Sequence, residues 1–316
     1  MQHADQQGDS SGEESDELMS SAKAASGVFL RGLLMGLAEL VPGVSGGTIA
    51  FISGIYYRLI KALTSFGFAS LALVFRPTDF WRHHHLSFLA VLGLGMVVGI
   101  VLFARLIGFM LVSAPPVLWA FFFAVIMVSV YQIGAARPKF HLLVYGSLGL
   151  TLGLIFLSLP PQDLSGSLVS LFFAAMIAVS AWILPGISGS FVLLLFGLYD
   201  DVISAINTLD GVFLIVLAAG CASGLLLFSR LLSWLLNRYQ DALLALLTGF
   251  MATALVKLWP WQAVQDASAG SGQLLASMLL PHQYAQSGRE DFWLLALVAA
   301  AVGGVGTWLL ARFAPR

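Results

Sequence analysis

Pro42-Gly43-Val44-Ser45-Gly46-Gly47 recurs as Pro185-Gly186-Ile187-Ser188-Gly189-Ser190, and each copy interrupts a hydrophobic stretch that otherwise reads as continuous helix. Proline removes a helical N–H and clashes with the preceding turn, while the Gly and Ser that follow leave backbone amides free at the start of a new helix. The pattern therefore predicts two broken helices, each with an unwound polar tip inside an apolar segment. In lipid such a break is tolerated only where the backbone is buried in protein or lines a watery cavity. Interrupted segments at matching places in two halves point to the substrate site of a transporter.

Outward from the motif, the repeat continues. Residues 42–63 align with 185–206 at an offset of 143, pairing Gly54 with Gly197, Tyr56 with Tyr199 and Ala62 with Ala205. A second block pairs Gly95, Gly99, Arg105 and Leu106 with Gly220, Gly224, Arg230 and Leu231 at an offset of 125, so the first copy holds 18 extra residues, around Phe66 to His85. Trp81, Arg82 and the His83-His84-His85 run suit an interfacial segment at headgroup level. Three adjacent imidazoles with no carboxylate or thiol beside them read as polar loop rather than metal site.

Composition demands a membrane. Of 316 residues 59% are hydrophobic and 10% charged, against about 25% charged in a soluble domain. Residues 1–25 form an acidic, Ser- and Gln-rich tail without apolar periodicity, which holds six of the sixteen acids and reads as a solvated cytoplasmic segment. Past it, 14 basic residues face 10 acidic ones, so the membrane body is basic. Cys221 stands alone, which excludes an internal disulfide and any thiolate metal cluster. No cofactor and no nucleic-acid partner is implied, and oligomeric state is open.

The expected fold is an all-α integral membrane domain of two inverted repeats, 26–160 and 161–316. Each repeat has a re-entrant or broken helical hairpin and three transmembrane helices. Half-helices are expected at 27–41 and 48–63, then spans at 86–112, 116–134 and 141–159. The second copy gives 168–184 and 190–206, then 211–236, 241–259 and 292–312. The full segments meet the roughly 20 residues that cross a ~30 Å core, whereas the first halves, at about 16, reach only ~24 Å. With an odd number of crossings per copy, the second must enter from the opposite face. Positive charge agrees: Arg58, Lys61, Arg76, Arg82, Arg137, Lys139, Arg230 or its flank, Arg238, Arg312 and Arg316 gather on connections that share one side, while 160–167 and 207–210 carry acids only and the long loop 260–291 adds just Arg289, with Lys257 near its start. Both termini are thus expected in the cytoplasm.

The form Glu39-Leu-Val-Pro-Gly-Val-Ser-Gly-Gly-Thr-Ile-Ala, with the second Pro-Gly-Ile-Ser-Gly-Ser, resembles the PopT family of bacteria, long catalogued as a domain of unknown function. The resemblance covers essentially everything after residue 25. It implies a polyprenyl-phosphate transporter of the bacterial cytoplasmic (inner) membrane. Such a protein returns undecaprenyl phosphate from the outer to the inner leaflet, where the lipid again carries peptidoglycan and other cell-envelope precursors.

A phosphate headgroup cannot cross hydrocarbon unaided, so a flippase needs a polar, basic site at mid-membrane. The candidate phosphate ligands are Ser45, Gly46, Gly47 and Thr48 at one tip and Ser188, Gly189 and Ser190 at the other, which offer amides, hydroxyls and the positive ends of helix dipoles. One such motif alone reads equally as a tight turn packed with small residues; two symmetric copies favour an anion site. Arg105 and Arg230, at one repeat position inside apolar spans, are candidate counter-charges at the two mouths, with snorkelling as the structural alternative. Glu39, whose repeat partner is Trp182, is the candidate for proton or ion coupling, to H+ or Na+; a structural pair with Arg31 or Arg105 is the other reading. Asp200 and Asp201 read as loop charges.

Two rivals remain at this stage. Integral-membrane undecaprenyl-diphosphate phosphatases of the BacA type resemble the same plan but carry Pro-Gly-x-Ser-Arg-Ser, where this chain has Gly46 and Gly189 in place of the arginine. A small-anion transporter would share the basic cavity without needing a lateral opening to lipid.

Overall fold

The computed structural model describes residues 22–41, 44–67, 75–160, 162, 164, 166–263 and 278–313. The acidic tail through residue 21 and the Pro42-Gly43 pair of the first motif lie outside the described residues.

The described chain is helical, with a single isolated β-bridge between Gln262 and Met278. The first half runs α1 (Ala22–Glu39), α2 (Gly46–Ile52), α3 (Tyr56–Thr64), α4 (Pro77–His83), α5 (Leu86–Ser113), α6 (Pro115–Ala135) and α7 (Lys139–Ser158). The second runs α8 (Leu168–Ile183), α9 (Gly189–Leu195), α10 (Tyr199–Thr208), α11 (Gly211–Arg238), α12 (Gln240–Lys257), α13 (Pro281–Gln286) and α14 (Trp293–Phe313).

Six of these, α5, α6, α7, α11, α12 and α14, are long and apolar enough to cross a bilayer, and the bent pair α9 and α10 would make a seventh if it counts as one span. Their outer faces expose large apolar side chains such as Val101, Val112, Ile215 and Leu227, as lipid contact requires. α5 and α11, at 28 residues each, extend ~42 Å, long enough to cross a ~30 Å core and reach through the headgroup regions or to tilt.

The sequence predicts single returning half-helices at 48–63 and 190–206, and here the structure differs. Each is cut in two, at Ser53-Gly54-Ile55 and at Phe196-Gly197-Leu198, by repeat-equivalent glycines in the left-handed region, with φ of 77° and 68°. A side chain is disfavoured at such a φ, which is why glycine stands at both places. α10 leaves α9 at 106°. α3 and α10 carry charges on one face (Arg58 and Lys61; Asp200 and Asp201) and apolar residues on the other, the pattern of a helix lying at an interface.

Helix pairing follows the repeat. α1 packs along α5, and α8 along α11. Gly95 and Gly99 sit against the backbone carbonyls of Phe29 and Leu33, and Gly220 and Gly224 against those of Phe172 and Met176, so no side chain fits at these crossings. The third spans change partners: α7 packs on α12, and α14 on α6. At the centre the two halves merge into one core containing Met35, Ala50, Ile60, Ile183, Leu232 and Leu247.

Candidate functional site

α1 ends at Glu39 and α8 at Ile183, and the segments that follow carry the two motifs into the core and against each other. The polar residues there are deeply buried: Ser45 and Thr48 are 0% exposed and Ser188 3%. Burial of hydroxyls among apolar side chains is unfavourable unless each finds a partner, and for the first motif the partners come from the opposite repeat. Ser45 Oγ donates to the Trp182 carbonyl at 3.0 Å, and Thr48 Oγ1 accepts from the Gly186 amide at 2.9 Å. The side chain of Ser45 also accepts from Gly47 N at 3.1 Å, capping α2. At the second motif Ser188 Oγ and Ser190 Oγ share a hydrogen bond of 2.6 Å.

Glu39 joins the two tips. One carboxylate oxygen, Oε1, accepts from Gly46 N at 2.6 Å and from Trp182 Nε1 at 2.7 Å. Glu39 and Trp182 are the same position in the two repeats, so each copy's helix end grips its counterpart. Arg31 donates instead to the carbonyls of Gly27 and Ser53. Neither Arg31 nor Arg105 pairs with Glu39 among the described residues.

The space over the candidate glycines is filled by protein in this conformation. The Glu39 carboxylate covers Gly46, the carbonyls of Trp182 and Ile183 cover Gly47, and that of Ala178 covers Gly189. The first tip thus directs its amides at its own carboxylate and serine. The second tip has no carboxylate, because tryptophan stands at Glu39's place. It faces Lys257 instead, whose Nζ lies 3.0 Å from the centroid of the Phe191 ring. Gly186, Ser188, Phe191, Thr253 and Lys257 line a narrow void of about 10 Å3, room for about one water.

Arg105 and Arg230 are not brought to the tips. Both are exposed on their helices, and Arg230 Nη2 donates to the Phe66 carbonyl at 2.9 Å. A different pair of arginines lines a cavity of about 490 Å3 at one end of the bundle: Arg137 and Arg312, with Ser129, Gln132 and Trp308. Arg137 Nη1 is 2.8 Å from Asp241 Oδ1, and the Arg312 guanidinium stands over Trp308 at 5.1 Å. Beside it, an apolar cleft of about 240 Å3 between α6 and α14, walled by Leu34, Leu37, Phe121, Val302 and Leu310, shares Ile52 with that cavity.

Sequence reasoning gave Lys257, at the end of the expected 241–259 span, no role, and treated Arg137 and Arg312 as orienting charges only. The offset of 125 that pairs α6 with α12 puts Gln132 opposite Lys257, and that alignment was the available signal. His84 also differs from the polar loop residue expected. It is 0% exposed, bonded through Nδ1 to Ser65 Oγ at 3.0 Å and stacked on Phe66. Burial, with His83 and His85 beside it, holds its imidazole below the usual histidine range.

Comparison with known proteins gives a consistent answer. Residues 35–274 match the family described as VCA0040-like, undecaprenyl phosphate translocase-like. A protein of Vibrio cholerae serotype O1 named polyprenyl-phosphate transporter is 39% identical over 280 residues, 85% of this chain and 91% of that relative. One of the same name from Staphylococcus aureus is 29% identical over 264 residues, 73% of this chain and 85% of that relative. No solved structure matches. On the family match and the Vibrio relative together, the chain belongs to the undecaprenyl phosphate translocase-like family.

Proposed function

We propose that this protein moves a polyprenyl phosphate, undecaprenyl phosphate above all, from the outer to the inner leaflet of a bacterial cytoplasmic membrane, with the phosphate received where the two motifs meet. The observation that carries the reading is that junction. Two copies of one broken-helix motif converge in the core with four hydroxyls, a carboxylate and a lysine, inside a bundle otherwise walled by apolar side chains. Such polar groups within a membrane are costly and are retained where a polar cargo passes.

The residues take distinct roles in this scheme. Ser45, Gly46, Gly47 and Thr48 face Ser188, Gly189 and Ser190 across the junction, and rocking of one repeat against the other exposes them to each side in turn. The bond from Glu39 to its repeat counterpart supports a position for both beside the axis that relates the repeats, because residues related by a two-fold axis touch each other only there; the odd number of crossings per repeat is what makes the arrangement inverted. Glu39 occupies the amides that a phosphate oxygen would use. Protonation weakens that self-contact, which couples opening of the first tip to a proton. Arg105 and Arg230 act as capture points at the two mouths rather than at the junction.

The narrow void at the second tip and the roomier basic cavity with its adjoining apolar cleft support a state closed to one side and open to the other. By the distribution of lysine and arginine the open side is cytoplasmic. Arg137 and Arg312 then receive the arriving phosphate by charge-assisted, bidentate contacts while the isoprenoid chain lies in the cleft between α6 and α14.

Reconstitution in sealed liposomes tests this directly. Fluorescent polyprenyl phosphate loaded in one leaflet is expected to appear in the other at a rate that depends on the protein, with no inorganic phosphate released from polyprenyl diphosphate. Hydrolysis of the diphosphate would establish a phosphatase instead. Movement of inorganic phosphate with the lipid left in place would establish a small-anion transporter.

A further inference from the structure

Lys257 is the charged side chain that lines the void at the second motif, together with Gly186, Ser188 and Thr253. Its ammonium nitrogen rests on the face of Phe191, one residue past Ser190, at 3.0 Å from the ring centroid. It is mostly buried, and no carboxylate pairs with it among the described residues. A ring face offers an ammonium only a quadrupole, so among the described residues it has no counter-anion. An ionisable group within a spanning helix that lacks a protein partner marks the path of a charged ligand. In the first repeat Gln132 stands at the equivalent place, and Glu39 supplies a carboxyl group at that tip instead. The junction therefore carries an acid on one motif and a base on the other.

We propose that Lys257 is the principal counter-charge for the substrate phosphate, which binds on the second motif between this ammonium and the hydroxyls of Ser188 and Ser190. This rests on the reading above that the cargo is a lipid phosphate. In the bound state the ammonium leaves the Phe191 face and donates charge-assisted hydrogen bonds to phosphate oxygens, and the ring keeps it poised when the site is empty. The void must widen by opening of α9 against α12, because a phosphate does not fit the closed form.

The test uses the full chain in detergent micelles, titrated with a C15 isoprenyl monophosphate, the uncharged C15 prenol and inorganic phosphate. The parent is expected to prefer the monophosphate over both others. Lys257→Met should weaken monophosphate binding about 10- to 100-fold, the size of a lost hydrogen bond to a charged group, and leave prenol binding unchanged. Lys257→Arg should stay within about fivefold of the parent, since the charge and donors remain. Monophosphate affinity in Lys257→Met within twofold of the parent would overturn the assignment while leaving the lipid-phosphate reading intact. So would equal loss of monophosphate and prenol binding, the mark of a structural role. A parent that does not distinguish monophosphate from prenol would remove the substrate reading and this assignment with it. Where the variants do not fold, acylation of Lys257 in the parent serves: the monophosphate should slow it and the prenol should not, and equal rates would overturn the assignment.

Discussion

The bond between Glu39 and Trp182 separates two roles that one carboxylate can hold at once, a brace between the tips and a proton acceptor. Glu39→Gln keeps an acceptor for both the Trp182 and Gly46 N–H groups but cannot titrate. It is expected to fold normally and to move lipid at a rate that no longer responds to an imposed pH gradient, read in liposomes beside the parent; a preserved response would end the coupling role. Trp182→Phe removes the indole donor and leaves the carboxylate short of a partner. It should destabilise the protein by about 1–3 kcal/mol in reversible denaturation, and an unchanged midpoint would show the bond to be idle. For Arg105 and Arg230, capture of phosphate predicts transport falling in the order Arg, Lys, Met at equal abundance, because lysine keeps the charge but loses the planar fork. Parental rates in both Met variants would reduce them to snorkelling side chains. His84 gives a pH dependence outside the spans. Its imidazole is held low, so the fold prefers the neutral form, and the unfolded chain binds more protons in the window below the ordinary histidine pKa of ~6.5. The stability it confers is present above that value and is lost as pH falls through it toward the folded pKa. The thermal midpoint should drop between pH 7.5 and 5.5, and less so in His84→Asn; parallel slopes would place the sensitivity elsewhere.

Among the elements, the six spans were legible almost to their ends, because each is an apolar run of helical length bounded by proline, charge or a motif. The expected 86–112 and 211–236 became Leu86–Ser113 and Gly211–Arg238. The hairpins were legible only in outline. Apolar character continues past Gly54 and Gly197, so nothing in composition marks the bends, and a glycine in a run reads equally as close packing or as a left-handed turn. The alignment paired these two glycines without giving the reason. Replacing either by Ala at its positive φ should cost about 1–2 kcal/mol, and a neutral effect would mean that the bend is not enforced there. The local widening of α7 to π-type turns at Leu142–Gly146 left no sequence signal at all. Helix contacts across the repeats were also invisible, since periodicity identifies a buried face but not what covers it. That is why the candidate ligands of the tips were found while Lys257, on α12, was not. The small-residue crossings were clearer. Gly99→Leu or Gly224→Leu would force a side chain into the carbonyls of Leu33 or Met176. Each should lower stability by about 1–3 kcal/mol or more, measurable as loss of monodisperse protein on heating, and a parental profile would show that the helices can separate freely.

At the scale of the whole molecule, sidedness is the decisive quantity. In a Cys221→Ser background, single cysteines replacing Arg137 and Arg238 should be shielded from an impermeant thiol reagent in intact cells, and one replacing Leu209 should react. Labelling of Arg137 and Leu209 positions from the same face would dismantle the inverted plan. The exchange of third spans, α7 onto α12 and α14 onto α6, bears on how the chain is made. Helices leave the ribosome in order, so α6 enters the bilayer long before its main partner exists. It waits through the synthesis of the whole second half, with the face that will meet Gly303 and Thr307 open to lipid or to an insertase. The first half lacks that contact until α14 is made. Its late arrival makes α14 a checkpoint for the helices made before it: a nonsense codon just before α14 should yield a chain that inserts but is cleared by membrane proteases, and co-expression of α14 as a separate peptide should restore it.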